Sequence, residues 1–444
     1  MKKVLVISYY WPPSGGSGVQ RWLKFVRYLR DFQWEAVVCI PEDPEYPVYD
    51  HSLLKDIPQN ITILKVPIRE PFGLYKRLTG RRKGDRMGAG FISEKKTGKR
   101  LQAVSLWIRG NFFIPDARKF WINPSARYLT KYLKENPVDI IVTTGPPMSV
   151  HMIGLKLKKS VGLPWLADFR DPWTQVDFYR ELRLMKWADR KHHRMEKAVL
   201  STADRVTVVS RGMAEDLRLI VDRPYPVITN GYDEEDFETS DAAPDPFFSI
   251  AHFGSLSRRA NPILLWQVLG ELIRERSDLA GELKIKMTGQ VDHSVMESIR
   301  REGLEPFLQR IPYLEHDRMV RQMQRSQLLL LLINPDPGAR LIVTGKLFEY
   351  LAARRPVLLI GPEEGDAAEI IRELPNGYLC RYDDRENMKT QLLQLFDFYS
   401  GDGLPERKSL PEKYSRRYLT GLMAEQFNGL CAEKDNKAHL NLPG

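Results

Sequence analysis

The sequence predicts an α/β protein built from two parallel-sheet halves. Three observations carry that expectation. Short β-rich apolar runs alternate with helical stretches. The same rhythm restarts after an acidic, Pro-containing stretch near the middle of the chain. The length, 444 residues, exceeds what one hydrophobic core usually spans.

Lys3 to Ser8 (KVLVIS) reads as a buried opening strand. A Pro/Gly-rich loop follows, and then a helix from about Val19 to Asp31. Ala36 to Ile40 and Ile61 to Val66 read as the second and third strands. A basic segment interrupts the alternation. It resumes with Asp139 to Thr143, a helix from about Met148, and Trp165 to Phe169. A helix around Glu181 to Leu200 and the strand Val206 to Val209 complete the first half. The second half opens with Phe248 to Phe253, ending in Gly254, and continues with a helix from about Pro262. Its further strands are Leu283 to Met287, Leu328 to Ile333 and Val357 to Ile360. Residues 231–247 (GYDEEDFETSDAAPDPF) have linker composition. Ser415 is placed to cap a closing helix of about 416–432, and the polar tail from Glu433 is expected to fray.

Composition narrows the function classes. At 43% hydrophobic and 28% charged, the chain is of ordinary globular type. Its longest aliphatic run, Leu328 to Ile333, is far short of the roughly 20 residues a membrane-spanning helix needs. The opening MKKVLVISYY does not read as a signal peptide. Cys39, Cys380 and Cys431 are scattered, with no CxxC pair, so a disulfide framework or structural zinc is not expected and a reducing cytoplasm fits. The eight histidines are scattered as well, and no metal site is read. The net charge is +10, and most of it lies between Lys76 and Arg100, where ten cations face only Asp85 and Glu94. Glycines punctuate that stretch. It reads either as a solvated loop or as a patch that attracts phosphates, including those of an anionic membrane surface.

Two glycine-containing segments carry anion-binding character. The first is the loop Trp11-Pro12-Pro13-Ser14-Gly15-Gly16-Ser17-Gly18-Val19-Gln20-Arg21 between the first strand and its helix. Glycines there let backbone approach a ligand, and the helix start offers N–H groups to an anion. The second is Val343-Thr344-Gly345-Lys346-Leu347-Phe348-Glu349, opening a helix near Gly345. Lys346 can place a point charge on a diphosphate, and Glu349, three residues on, shares its face and can accept from ribose hydroxyls.

The segment VTGKLFEYLAARRPVLLIG resembles the SKLFEYLAAGKPV-type segment of GT-B glycosyltransferases, particularly glycosyltransferase family 4 and its bacterial polysaccharide relatives. PPSGGSGVQR, ITNGYDEEDF, HFGSLSRRANP and PYLEHDRMVRQMQRSQLLLLL resemble further landmarks of that family, in the expected order. The resemblance covers roughly 1–430 apart from the basic insertion. It implies two Rossmann-like domains facing across a cleft, with the nucleotide sugar mainly on the second and the acceptor on the first. It also implies a C-terminal helix crossing back to the first domain. The resulting boundaries are 1–232 with a basic insertion at about 70–120, then 245–411, a crossover helix 412–432 and a tail 433–444. Metal-independent, retaining transfer is implied, with no cofactor beyond the nucleotide-diphosphate sugar itself.

The pattern is not complete. The family's paired glutamates are spaced E-x7-E. Glu349 matches the second, while Leu341 stands where the first would fall. The cations after the opening strand of the second half are displaced. Gly254 is followed by Ser255, and the nearest are Arg258 and Arg259. Donor binding is therefore assigned to Gly15, Gly16, Gly254, Ser255, Arg258, Thr344, Gly345, Lys346 and Glu349.

Pro164 to Trp173 (PWLADFRDPW) lies at a strand's carboxyl end, where α/β sheets place ligands. Asp168, Arg170 and Asp171 are the catalytic candidates. Either aspartate can orient or deprotonate an acceptor hydroxyl. Alternatively, Asp168 and Arg170 form an ion pair that shapes the loop. By position, Arg170 stands where the family often has a sugar-contacting His. Thr143 to His151 (TTGPPMSVH) also follows a strand, and Ser149 and His151 are its acceptor-side candidates, with a helix-packing role for His151 as the other reading. Leu101 to Ile114 (LQAVSLWIRGNFFI) sets Leu101, Val104, Trp107 and Ile108 on one helical face, suited to membrane docking or to the domain core.

The expected activity is sugar transfer from a UDP- or GDP-linked donor to a saccharide acceptor, lipid-linked, in surface polysaccharide assembly, on or near the inner face of the membrane and without nucleic acid. A nucleotide-sugar 2-epimerase of the same fold and a non-catalytic basic scaffold for membrane or nucleic acid are the alternatives.

Overall fold

The computed structural model describes residues 1–46, 48–68, 107–176, 179–238, 243–401, 403–405 and 410–440. The basic stretch Lys76 to Arg100 and the start of the Leu101 to Ile114 segment lie outside these. The chain divides into two compact units, Met1–Thr229 with Arg416–Gly444, and Asn230–Ser415. Each carries a doubly wound, Rossmann-like parallel sheet.

In the first unit the strands are β1 (Lys2–Ile7), β2 (Trp34–Glu42), β3 (Thr62–Pro67), β4 (Ile140–Gly145), β5 (Trp165–Phe169) and β6 (Arg205–Val208), in the order β3-β2-β1-β4-β5-β6. The central strands β4 and β5 are buried along their whole length because helices cover both faces. One face packs under helices Lys119–Glu135, Ser149–Val161 and Lys186–Thr202. The other packs under Ser17–Tyr28 and the closing helix Arg416–Leu440, whose Leu419, Met423, Phe427 and Leu430 recur on one face and are buried. The ring of Phe427 meets Trp34 edge-on at 5.2 Å.

The second unit repeats the plan with β7 (Phe248–Phe253), β8 (Leu283–Thr288), β9 (Leu308–Ile311), β10 (Leu328–Leu332), β11 (Val357–Ile360) and β12 (Gly377–Cys380), in the order β12-β11-β10-β7-β8-β9. The strands β9 (LQRI) and β12 (GYLC) were not expected from the sequence. Both are short edge strands of mixed polarity and lack the apolar run that marks a strand buried on two faces. The acidic stretch after Gly231 is not a free linker in its described part. Tyr232 and Phe237 lie in the second unit's core, and buried Asp245 pairs with Lys286 and accepts from Ser249. Among the described residues no helix is long and apolar enough to cross a membrane.

In each unit the chain builds outward in one direction from its first strand, then returns to the other side. The switch points fall between β1 and β4 and between β7 and β10. A crevice opens at the carboxyl ends of such strand pairs.

Candidate active site

The second unit's switch point opens because β7 and β10 pair only through Ile250 and Ala251. Beyond that the strands splay, and side chains satisfy the backbone groups left over. The Leu330 carbonyl accepts from His252 Nδ1 at 3.0 Å, and the Phe253 N–H donates to Tyr350 Oη at 3.1 Å. His252 Nε2 is buried as well. Burial, helped by the charge of Lys346, pushes the His252 pKa down to about 3, so the ring is neutral.

Gly254 follows with φ of 101°, a left-handed conformation that glycine tolerates and L side chains resist. The space beside it belongs to Lys346. A Cβ on Gly254 would stand 3.3 Å from Lys346 Nζ. The helix Gly345–Ala352 that carries Lys346 is capped by Thr344, whose Oγ1 accepts from the Lys346 N–H at 3.1 Å. Burial lowers the Lys346 pKa to about 8, although Glu349 one turn on acts to raise it. The Glu349 carboxylate is steadied from behind by a buried relay. His316, first residue of helix His316–Arg325, has Nδ1 3.9 Å from Glu349 Oε1 and Nε2 3.0 Å from Asp236 Oδ2. Ser255 and Arg258 are exposed on the turn after Gly254, whereas Arg259 is tied to Asp336 at 2.6 Å. Structure thus brings Gly254, Thr344, Gly345, Lys346 and Glu349 together. His252, Tyr350, His316 and Asp236 were not foreseen. They are ordinary core and surface residue types in sequence, and only the splay of two strands distant in the chain gives them work.

The first unit's switch point is organised differently from expectation. Asp168 is fully buried and accepts five hydrogen bonds: from Arg21 Nε and Nη2 at 3.1 and 2.9 Å, Trp22 Nε1 at 2.7 Å, Thr144 Oγ1 at 3.2 Å and Thr207 Oγ1 at 3.0 Å. Arg21 also donates to the Thr229 carbonyl at 2.6 Å. The ion pair foreseen between Asp168 and Arg170 is therefore made with Arg21. With five donors on two oxygens, the carboxylate is fully engaged within the unit, as the ion-pair reading of Asp168 has it, though with Arg21 as the partner. Arg170 staples the site, with Nε on the Gly145 carbonyl at 3.3 Å and its two terminal nitrogens on the carbonyls of Gly18 and Pro146. These three contacts tie the loops after β1, β4 and β5 to one guanidinium.

Ser149 and His151 are both buried, and for His151 this agrees with the helix-packing reading. Ser149 is buried and bound through N–H and Oγ to the Asp116 carboxylate at 2.8 and 3.0 Å, so the pair caps helix Ser149–Val161 instead of meeting an acceptor. His151 is fully buried, stacked on Phe169 at 4.3 Å and paired with Thr143 at 2.9 Å. A Cβ on Gly145 would come within 2.5 Å of its Nε2. Burial pushes its pKa down to about 3. In the first loop the Gly15 N–H is already given to the Val48 carbonyl at 2.9 Å, so Gly15 offers no amide to an anion. Gly16, with φ of 93°, stands in open space at the start of helix Ser17–Tyr28. Asp171 is exposed. Beside the loop a tyrosine cluster was missed. Tyr10 is 6.3 Å from Tyr46, Tyr46 is 5.8 Å from Tyr49, and Tyr49 pairs its backbone with Ser14.

Two doubly wound units, each with a switch point in its strand order, define the GT-B class. Solved structures agree along the whole chain. Sucrose-phosphate synthase from Thermosynechococcus elongatus superposes with a TM-score of 0.59 at 12% identity, covering 99% of both chains. The lipopolysaccharide outer core galactosyltransferase WaaB, in its apo form, gives 0.56 at 14% identity over 98% of this chain and all of its own. A TarM mutant from S. aureus, in complex with Fondaparinux, α-GlcNAc-glycerol and UDP, gives 0.54 at 11% identity over 98% and 99%. No curated protein matches the chain in sequence. Residues 15–231 match the glycosyl transferase 4-like domain family. The chain has the GT-B fold of these structures.

Proposed function

We propose that the enzyme transfers a sugar, with retention, from a UDP- or GDP-linked donor to a saccharide acceptor carried on a lipid, in cell-surface polysaccharide assembly. One observation carries the donor half: Lys346 Nζ lies over Gly254, with Glu349 on the same helix, at the switch point between β7 and β10. A diphosphate placed there meets the positive end of an eight-residue helix and the Lys346 ammonium, with Arg258 on the adjoining turn. Leaving-group charge is then stabilised by protein groups already in position. Glu349 accepts from the ribose hydroxyls, oriented by His316. On the first unit Asp171 and the faces of Tyr10 and Tyr49 serve the acceptor, while Arg170 fixes the loops that present them. The three free cysteines are buried, in keeping with a cytoplasmic enzyme. TarM's complex with UDP supports a uridine donor by analogy of fold.

A thermal-shift panel of UDP, GDP and other nucleoside diphosphates tests the reading, since ligand binding stabilises by mass action. One base should raise the midpoint in the wild type and fail to do so in Glu349→Gln and Lys346→Ala. Turnover of the matching sugar donor should then require added acceptor. Inversion at the sugar's C2 by enzyme alone would make it an epimerase, and stabilisation by no diphosphate would remove the donor site.

A further inference from the structure

Away from its switch point the first unit exposes a continuous aromatic and basic surface. Trp107, Ile108, Phe112, Phe120, Met185 and Trp187 are between 36% and 52% exposed. Single exposed apolar residues are ordinary, but here the rings touch. Trp107 meets Phe112 at 5.7 Å, Phe112 meets Trp187 at 6.1 Å, and Phe113 meets Phe120 at 6.3 Å. Lys119 joins them. Its Nζ donates to the Phe112 carbonyl at 2.6 Å and sits 5.1 and 5.0 Å from the Phe113 and Phe120 ring centres.

The charge around this patch is mostly positive, with Glu181 an exposed acid beside it. Helix Lys186–Thr202 exposes Lys186, Arg190, Lys191, Arg194 and Lys197. Its two acids are engaged: Asp189 accepts from Tyr179 Oη, and buried Glu196 from Thr174. Trp187 and Lys191, four residues apart, share a face of that helix. Burial, together with the charge of Lys191, lowers the Lys119 pKa. In sequence, the ten cations between Lys76 and Arg100 come just before Trp107.

We propose that this face docks on an anionic bilayer, with the rings at the headgroup boundary and the cations against lipid phosphates. Indole and phenyl rings favour that boundary, and cations beside them bind anionic headgroups. A second copy of the chain is disfavoured, because an isologous contact sets like charge on like charge. Nucleic acid would use the rings for stacking but gains little from Ile108 and Met185, which a hydrocarbon boundary takes readily. The proposal is independent of the donor site.

Vesicle flotation of the full chain tests it, using phosphatidylcholine alone or mixed with phosphatidylglycerol. Wild type should float with the mixed vesicles and scarcely with the neutral ones. Phe112→Ser with Trp187→Ser should lower partitioning by about tenfold or more. Arg190→Glu with Lys191→Glu should do the same, since each cation near an anionic surface contributes about fivefold. All four positions are solvent-facing, so unfolding midpoints should stay within a few degrees of wild type, and the two pairs check one another if either disturbs folding. Trp107→Phe with Trp187→Phe should retain binding but lose most quenching of tryptophan emission by brominated lipid. Failure to float with mixed vesicles overturns the proposal. So does flotation that the Phe112/Trp187 pair leaves intact, a dimer in sedimentation velocity that this pair dissolves, or tRNA binding that this pair abolishes while flotation persists.

Discussion

Replacing Asp168 by Asn keeps the shape of the side chain and removes its charge from the centre of the first unit. The consequence can be worked from the five hydrogen bonds. Oδ2 accepts from Arg21 Nε, Trp22 Nε1 and Thr144, and Oδ1 from Arg21 Nη2 and Thr207. In either amide orientation the new NH2 group faces at least two donors, and the fully buried Arg21 guanidinium loses its counter-charge. Breaking a buried pair from one side costs about 3–5 kcal/mol, so Asp168→Asn should destabilise the unit by that amount. Eight of the nine tryptophans lie in the first unit, so urea unfolding followed by tryptophan emission reads the right transition. Adding Arg21→Met should cost less than the sum of the single changes, because it removes the stranded charge. The pH dependence has a definite sign. Burial raises the Asp168 pKa, but the charge of Arg21 and the hydrogen bonds from Arg21 and Trp22 outweigh it and hold the carboxyl below its ordinary 3.8. The group's contribution is therefore complete above the unfolded value and lost as pH falls through the lower folded one. The Asn variant should lack that acid limb. A loss below about 1 kcal/mol, with an unchanged acid limb, would refute the reasoning.

Further outcomes concern the second unit. Lys346→Met should weaken binding of the favoured nucleoside diphosphate by roughly 10–100-fold in calorimetry, the worth of a charge-assisted hydrogen bond. Since the Lys346 pKa is about 8, wild-type affinity should decline as pH rises through that value, and Lys346→Arg should flatten the decline. Gly254→Ala forces a side chain into a φ of 101° and against Lys346 Nζ, so it should cost about 1–2 kcal/mol of stability and weaken the nucleotide together. A stable variant with unaltered binding would show that Lys346 needs no such clearance. His316→Ala should reduce the preference for a ribonucleotide over its 2′,3′-dideoxy counterpart towards unity, with little effect on the dideoxy compound. An unchanged ratio would separate His316 from Glu349.

The sequence by itself determined the fold class, because an apolar run bounded by turn residues is legible without any partner. Trp165–Phe169, Phe248–Phe253 and Val357–Ile360 lie where the pattern placed them. The Thr344–Glu349 segment was readable for the same reason, since a cap, a helix start and an i, i+3 pair are local facts. Burial and partnership are not local. Asp168, Ser149 and His151 looked available because polar residues at strand ends often are, and they proved to be consumed by Arg21, Asp116 and Thr143 from other elements. His316 behind Glu349, and the aromatic face shared by Phe112 and Trp187, join segments tens of residues apart. Only tertiary packing decides which polar groups lose water and must be paired internally, and that decision separates a scaffold residue from one left to meet a substrate.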